Sequence, residues 1–160
     1  MSALSRRLAE LGHTLPAVEP PVANFLTSLQ GGELLLTAGQ IGRVGAAKAG
    51  PVGAGLSVEA TRDEAQQAAL HLLAAIDAAL DGASERIEHV LRLGVFIAAA
   101  PGFDAHSRVA DGASDLLVAA LGERGRHVRT AIGVASLPAG AAVEVDALLR
   151  LRPASESTRP

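Results

Sequence analysis

Cysteine is absent from the 160 residues, which excludes disulfides, thiolate metal ligands and thiol catalysis. Tryptophan and tyrosine are absent too, and three Phe bring the aromatic fraction to only 2%. A platform that stacks the bases of single-stranded nucleic acid cannot be assembled from so few rings. The chain also lacks an excess of positive charge. Its formal net charge is −3 and its pI near 5.9, which argues against a general phosphate-binding surface. No run of apolar residues reaches the length of a membrane-spanning helix. The first twelve residues, MSALSRRLAELG, interrupt their apolar positions with charges and contain no signal-peptide core, so a cytoplasmic location is expected. What remains is an aliphatic chain, 49% hydrophobic, of a length that suits one domain and hides about two thirds of its unfolded surface.

Leu4, Leu8 and Leu11 share one helical face behind Ser2, which predicts a short N-terminal amphipathic helix over 1–12. Ala23–Leu29 and Glu33–Ala38 are apolar runs joined near Gly31-Gly32, as in a hairpin. Gly42–Leu56 is rich in Gly, Ala and Pro without periodicity and predicts a mobile loop. Thr61 and Glu64 fit a capping box ahead of helically spaced Ala65, Ala68, Ala69, Leu72, Leu73, Ile76, Ala79 and Leu80, with Gly82 as the stop. Ile87–Ala98 predicts a strand. A second helix follows, with Val109, Ala113, Leu116, Leu117 and Ala120 on one face and Gly122 at its end. Val128–Val134 and Ala142–Leu151 predict two more strands, the last with Val143, Val145, Ala147, Leu149 and Leu151 on one side. The order is β-β-α-β-α-β-β over residues 1–152, a single domain, with 153–160 expected as a disordered tail. Two long helices are too few to cover both sheet faces, so the fold class is α+β with the helices on one face. The other face keeps apolar residues such as Leu148, which usually meets a second copy.

Several catalytic signatures are missing. There is no phosphate-binding G-x-x-x-x-G-K-[ST] and no G-x-S-x-G elbow. The five His, at 13, 71, 89, 106 and 127, never fall three or four apart, so no metal site is expected. The segment that stands out is Gly125–Glu144, GRHVRTAIGVASLPAGAAVE. His127 and Arg129 are two apart on a strand and leave the same face, and Glu144 is expected on the neighbouring strand. Two readings are open: a structural ion pair at a sheet edge, or an arginine fork that binds a carboxylate beside a glutamate that orients water. Asp111 and Ser114 are expected to cap or decorate the second helix, and Phe25 to pack as an aromatic at a cleft wall.

The pattern G-x-H-x-R-[ST]-A-[IV]-G-V-x-x-L-P-x-x-x-x-V-E-V resembles the C-terminal signature of the Rid family, the reactive intermediate deaminases also called YjgF or L-PSP proteins. The likeness spans Arg6–Leu151. It includes Leu15-Pro16, Pro21-Val22-Ala23-Asn24-Phe25, Thr37-Ala38-Gly39-Gln40 and Gly112-Ala113-Ser114-Asp115-Leu116-Leu117, as in a subgroup without an assigned substrate. The resemblance implies a chorismate-mutase-like fold, a homotrimer with clefts between subunits, and hydrolysis of 2-imino acids and enamines to 2-keto acids and ammonia without a cofactor. By the same resemblance Arg129 matches the arginine that holds the substrate carboxylate. Glu144 matches the glutamate that places water, Gly39 the turn glycine, and the backbone carbonyl of Ala131 a water ligand. Three positions depart from the pattern: Phe25 replaces the family tyrosine, Ala38 a serine and Ala131 a cysteine. Asp111 stands near a position where relatives often carry Asn. The expected function is therefore binding of a small 2-imino or 2-keto carboxylate by Arg129, Glu144, Phe25, Gly39, Ala131 and His127 at subunit interfaces, with imine hydrolysis as the possible reaction. The alternative is a non-catalytic metabolite-binding module. An endoribonuclease or translation inhibitor fits the charge and composition less well.

Overall fold

The computed structural model describes residues 1–21 and 23–153. Apart from Pro153, the expected tail lies outside them. Helix α1 (Ala3–Glu10) is capped by Ser2, whose Oγ accepts from the Ser5 N–H at 3.0 Å, and it buries Leu4 and Leu8. Strands β1 (Ser28–Gly31) and β2 (Leu34–Thr37) pair as a hairpin around Gly32 and Glu33. Gly32 takes φ +60°, a conformation that strains any side chain. Strand β1 begins later than the apolar run suggests, because residues 23–27 bend before they reach β2. The rest follows as β3 (Gln40–Ile41), α2 (Val58–Ala79), β4 (Ile87–Ala98), α3 (His106–Leu121), β5 (Val128–Val134) and β6 (Val143–Leu151).

The strands form one mixed sheet in the order β1-β2-β6-β4-β5, with β3 also on β6. All pairs are antiparallel except β4 with β5. Strands β2 and β3 run along the same edge of β6, but Leu36 faces Leu148 while Gln40 faces Val145, so one extra residue is accommodated between them. This bulge re-aims the chain at Ala38-Gly39. Helices α2 and α3 lie on one face, over the inward side chains of β4 (Val90, Leu93, Val95, Ile97) and β6 (Val143, Val145, Ala147, Leu149, Leu151), all buried. The alternation read from β6 is therefore the boundary between the two faces. Small residues let the helices approach: a Cβ on Gly112 would collide with the backbone carbonyl of Arg62 on α2.

Two local expectations are corrected. Helix α2 is capped by Ser57, whose Oγ accepts from Ala60 N at 3.1 Å, and not by Thr61. Thr61 lies a turn inside and donates its hydroxyl to the Ser57 carbonyl at 2.7 Å. Glu64 is freed from any capping role and accepts from both the Arg43 N–H (2.8 Å) and the Arg43 guanidinium (2.5 Å). For that reason Gly42–Leu56 is not a loose loop. It is pinned at its start by Glu64 and in the middle by Val52, which is buried and exchanges backbone hydrogen bonds with Ala98 and Ala100 at the end of β4. Among the described residues no helix is long and apolar enough to cross a membrane.

Candidate functional site

Strand β5 alternates its side chains, and His127 and Arg129 both turn toward α3, as their spacing predicts. On α3, Asp111 and Ser114 are three residues apart and so occupy one face. They cannot cap the helix, because they sit well inside it. They meet Arg129 instead. Its Nη1 donates to Asp111 Oδ1 at 2.9 Å and to Ser114 Oγ at 3.0 Å, and its Nη2 donates to the Ser107 carbonyl at 3.3 Å. A guanidinium has five N–H groups. With these bonds made, Nε and one hydrogen of Nη2 have no partner among the described residues. The guanidinium is thus oriented by α3 and retains donors for an incoming anion. The side chain of Arg129 is 21% exposed, so it reaches solvent.

His127 completes the cluster. Its Nδ1 lies 2.6 Å from the Gly125 carbonyl, which can only accept, so Nδ1 carries the proton. Nε2 lies 2.9 Å from Ser114 Oγ and is left as the acceptor of the serine proton when the ring is neutral. Burial lowers the His127 pKa more than the Gly125 bond raises it, and the positive charges of Arg129 and His89 add to the lowering. The neutral ring is therefore the form at neutral pH. Ser114, Val118, Arg126, His127 and Arg129 line an open cleft of about 250 Å³.

Glu144 lies elsewhere. It is on β6, facing the side of the sheet that carries no helix. The expectation that it neighbours Arg129 is corrected: β4 runs between β5 and β6. Arg129 is in register with Leu93 and hence with Ala147, three residues along β6 from Glu144, and the two side chains leave opposite faces. Within one chain they do not form a pair. Glu144 stands instead against Gly39, where any Cβ would overlap its carboxylate. The β2–β3 bulge creates that close approach. Burial raises the Glu144 pKa, and the negative charge of Asp146 raises it further.

The remaining expected residues are scattered. Ala131 is half-buried on the Arg129 side of β5, level with Val95. Phe25 is 52% exposed ahead of β1. Next to it, Leu26, Ser28, Leu29, Leu36, Thr37 and Ala38 line an apolar cleft of about 350 Å³. Asp111 and Ser114 are the neighbours of Arg129 that sequence reasoning misplaced. The available signal was their shared helix face, but nothing local shows that β5 lies opposite. No group of three or more His, Asp or Glu that could hold a metal ion occurs among the described residues.

Comparison with known proteins fits this architecture. The Trypanosoma cruzi protein TCP17 is 42% identical over 151 residues, 92% of this chain and 94% of its own length. The crystal structure of Atu1372, a protein of unknown function from Agrobacterium tumefaciens, superposes with a TM-score of 0.82 at 36% identity, covering 93% of this chain and 94% of that one. A Shewanella oneidensis protein described as a candidate endoribonuclease superposes with a TM-score of 0.83 at 27% identity, over 92% and 99% of the two chains. The profile of the family Endoribonuclease L-PSP matches residues 16–150. The chain with the oriented Arg129 and the Gly39-backed Glu144 belongs to the L-PSP, or YjgF, family.

Proposed function

We propose that the protein binds a small 2-imino or 2-keto carboxylate between subunits of a homotrimer and hydrolyses the imine or its enamine tautomer to a 2-keto acid and ammonia. The observation that carries this reading is the placement of Arg129 and Glu144 on opposite faces of one sheet. Both are partly open, so a ligand that touches both must lie between two copies. The face bearing Glu144 supports association: Leu34, Leu36, Val128 and Ile132 are exposed on it.

The chemistry asks little of the protein. The donors left on Arg129 grip the substrate carboxylate and fix its orientation. Burial raises the Glu144 pKa above the usual glutamate value, which makes its carboxylate a stronger base: it takes a proton from the attacking water and returns it to the departing amine. Water adds to the C=N carbon, the C–N bond breaks, and ammonia leaves. The backbone carbonyl of Ala131 is a second acceptor for that water, and the lack of a side chain at Gly39 lets the Glu144 carboxylate lie against the chain there. Phe25 forms a wall of the cleft from the neighbouring copy, and His127 holds the arginine cluster.

A second reading is a non-catalytic module that binds a carboxylate metabolite. Phe25 and Ala38 lack hydroxyl groups, and Asp111 already neutralises part of the Arg129 charge. An amino-acid oxidase that generates 2-imino acids in situ separates the two. Faster keto acid release than in buffer supports catalysis. Thermal stabilisation by 2-keto acids without acceleration supports the binding module. Arg129→Ala is expected to abolish both signals, and an unchanged response in that variant overturns both readings.

A further inference from the structure

We infer that Ser114 is an activated nucleophile, with His127 as its general base, in a second reactive site formed by one chain alone. It would act on esters or other activated acyl compounds that carry an anionic group. The hydroxyl of Ser114 is held from two sides. Arg129 Nη1 donates to its oxygen at 3.0 Å, and His127 Nε2 stands 2.9 Å away on the side of its proton. The Gly125 carbonyl, 2.6 Å from Nδ1, fixes the ring orientation and the tautomer that leaves Nε2 basic. This is the arrangement that acyl transfer by serine requires: nucleophile, base, and a third group that orients the base. The guanidinium bond to the oxygen also favours the alkoxide that develops during attack. The three side chains open on one cleft of about 250 Å³, with Arg126 on its rim and Val118 as its apolar wall. Imine hydrolysis between subunits uses neither the serine hydroxyl nor Nε2.

In the acylation step Ser114 Oγ bonds to the acyl carbon as its proton passes to His127 Nε2. The bond to the leaving oxygen then breaks, and that oxygen takes the proton from Nε2. Deacylation reverses the roles: water gives its proton to Nε2, its oxygen bonds to the acyl carbon, and Ser114 leaves with the proton. The anionic group of the substrate is held by the unused donors of Arg129.

The test is labelling of the full-length protein with an alkyl fluorophosphonate, read by intact mass and by peptide mapping. The phosphorus–oxygen bond forms on Ser114, fluoride leaves, and the proton goes through His127 to solvent. The expected result is one adduct, mapped to Ser114, absent from S114A, and formed at least about tenfold more slowly in H127Q, whose amide can hydrogen-bond but cannot accept the proton. An unlabelled wild-type protein, or an adduct mapped elsewhere, overturns the proposal. Equal labelling rates in H127Q and wild type overturn the role of His127. The labelling uses no imine, so its failure leaves the deaminase reading standing, and failure of the oxidase-coupled assay leaves this one standing.

Discussion

A carboxylate set against Gly39 and beside Asp146 is a group the folded chain would rather keep protonated. The folded-state pKa of Glu144 is raised above its unfolded value, so the folded state binds the proton more tightly. The stability this contributes is complete below the ordinary glutamate pKa and declines as pH rises through the raised value. Glu144→Gln removes the titration. The variant is expected to melt above wild type at pH near 7 and to lose that advantage by about pH 4. Melting curves at the two pH values check this, and an advantage that is the same at both would contradict the assignment. On the proposed reaction, in which Glu144 carries the proton, the same substitution should slow imine hydrolysis, so that stability and turnover move in opposite directions. His127 shifts the other way, because desolvation disfavours its charged form. Its side chain was legible as a neighbour of Arg129 from their two-residue spacing. Its bond to Ser114 was not, because that partner belongs to a helix whose position the strand pattern does not specify.

Between elements, the crossing of α2 and α3 depends on the absence of a side chain at Gly112. An alanine there would bring Cβ onto the Arg62 carbonyl, a backbone atom that cannot swing away. Gly112→Ala is expected to cost about 1–3 kcal/mol, even though glycine is otherwise the weaker helix former. Urea unfolding measures it, and a gain in stability would show that the helices separate freely. The consequence reaches the site, because Asp111 and Ser114 flank that position and hold Arg129. Both long helices were legible from their apolar spacing. The start of α2 was not, since Ser57 and Thr61 are both good caps and local sequence does not rank them. Glu64 settles the matter structurally: with Thr61 inside the helix, its carboxylate is free to fasten Arg43.

The molecule as a whole buries one face of its sheet under two helices and leaves aliphatic side chains on the other. Leu34, Leu36 and Ile132 are between 39% and 49% exposed there, while the inward residues of β6 are almost fully buried. If that face is where copies meet, a charge placed in it should separate them without unfolding any of them. Leu36→Glu is expected to convert a species of three times 16.2 kDa into one of 16.2 kDa with unchanged far-ultraviolet circular dichroism. Light scattering at matched concentrations decides it. A monomeric wild type would remove the basis for a site shared between copies. On the proposed shared site, the monomeric variant should also lose keto acid binding, because Arg129 and Glu144 lie on opposite faces of the sheet. It should keep its fluorophosphonate reactivity, because Ser114, His127 and Arg129 belong to one chain.

Element order apart from the short β3, the helix-covered face of β6 and the pairing of His127 with Arg129 on one side of β5 were set by the sequence, because each is a matter of period: 3.6 along a helix, 2 along a strand. The tertiary structure decided what period cannot express. Strand β4 entered between β5 and β6 and parted Arg129 from Glu144. The one-residue bulge before β3 pressed Gly39 onto that glutamate, and α3 crossed β5 so that Asp111 and Ser114 reached the arginine. Each depends on long-range pairing, and the free energy that selects it comes from burying the helix-facing side of the sheet, to which distant segments contribute together.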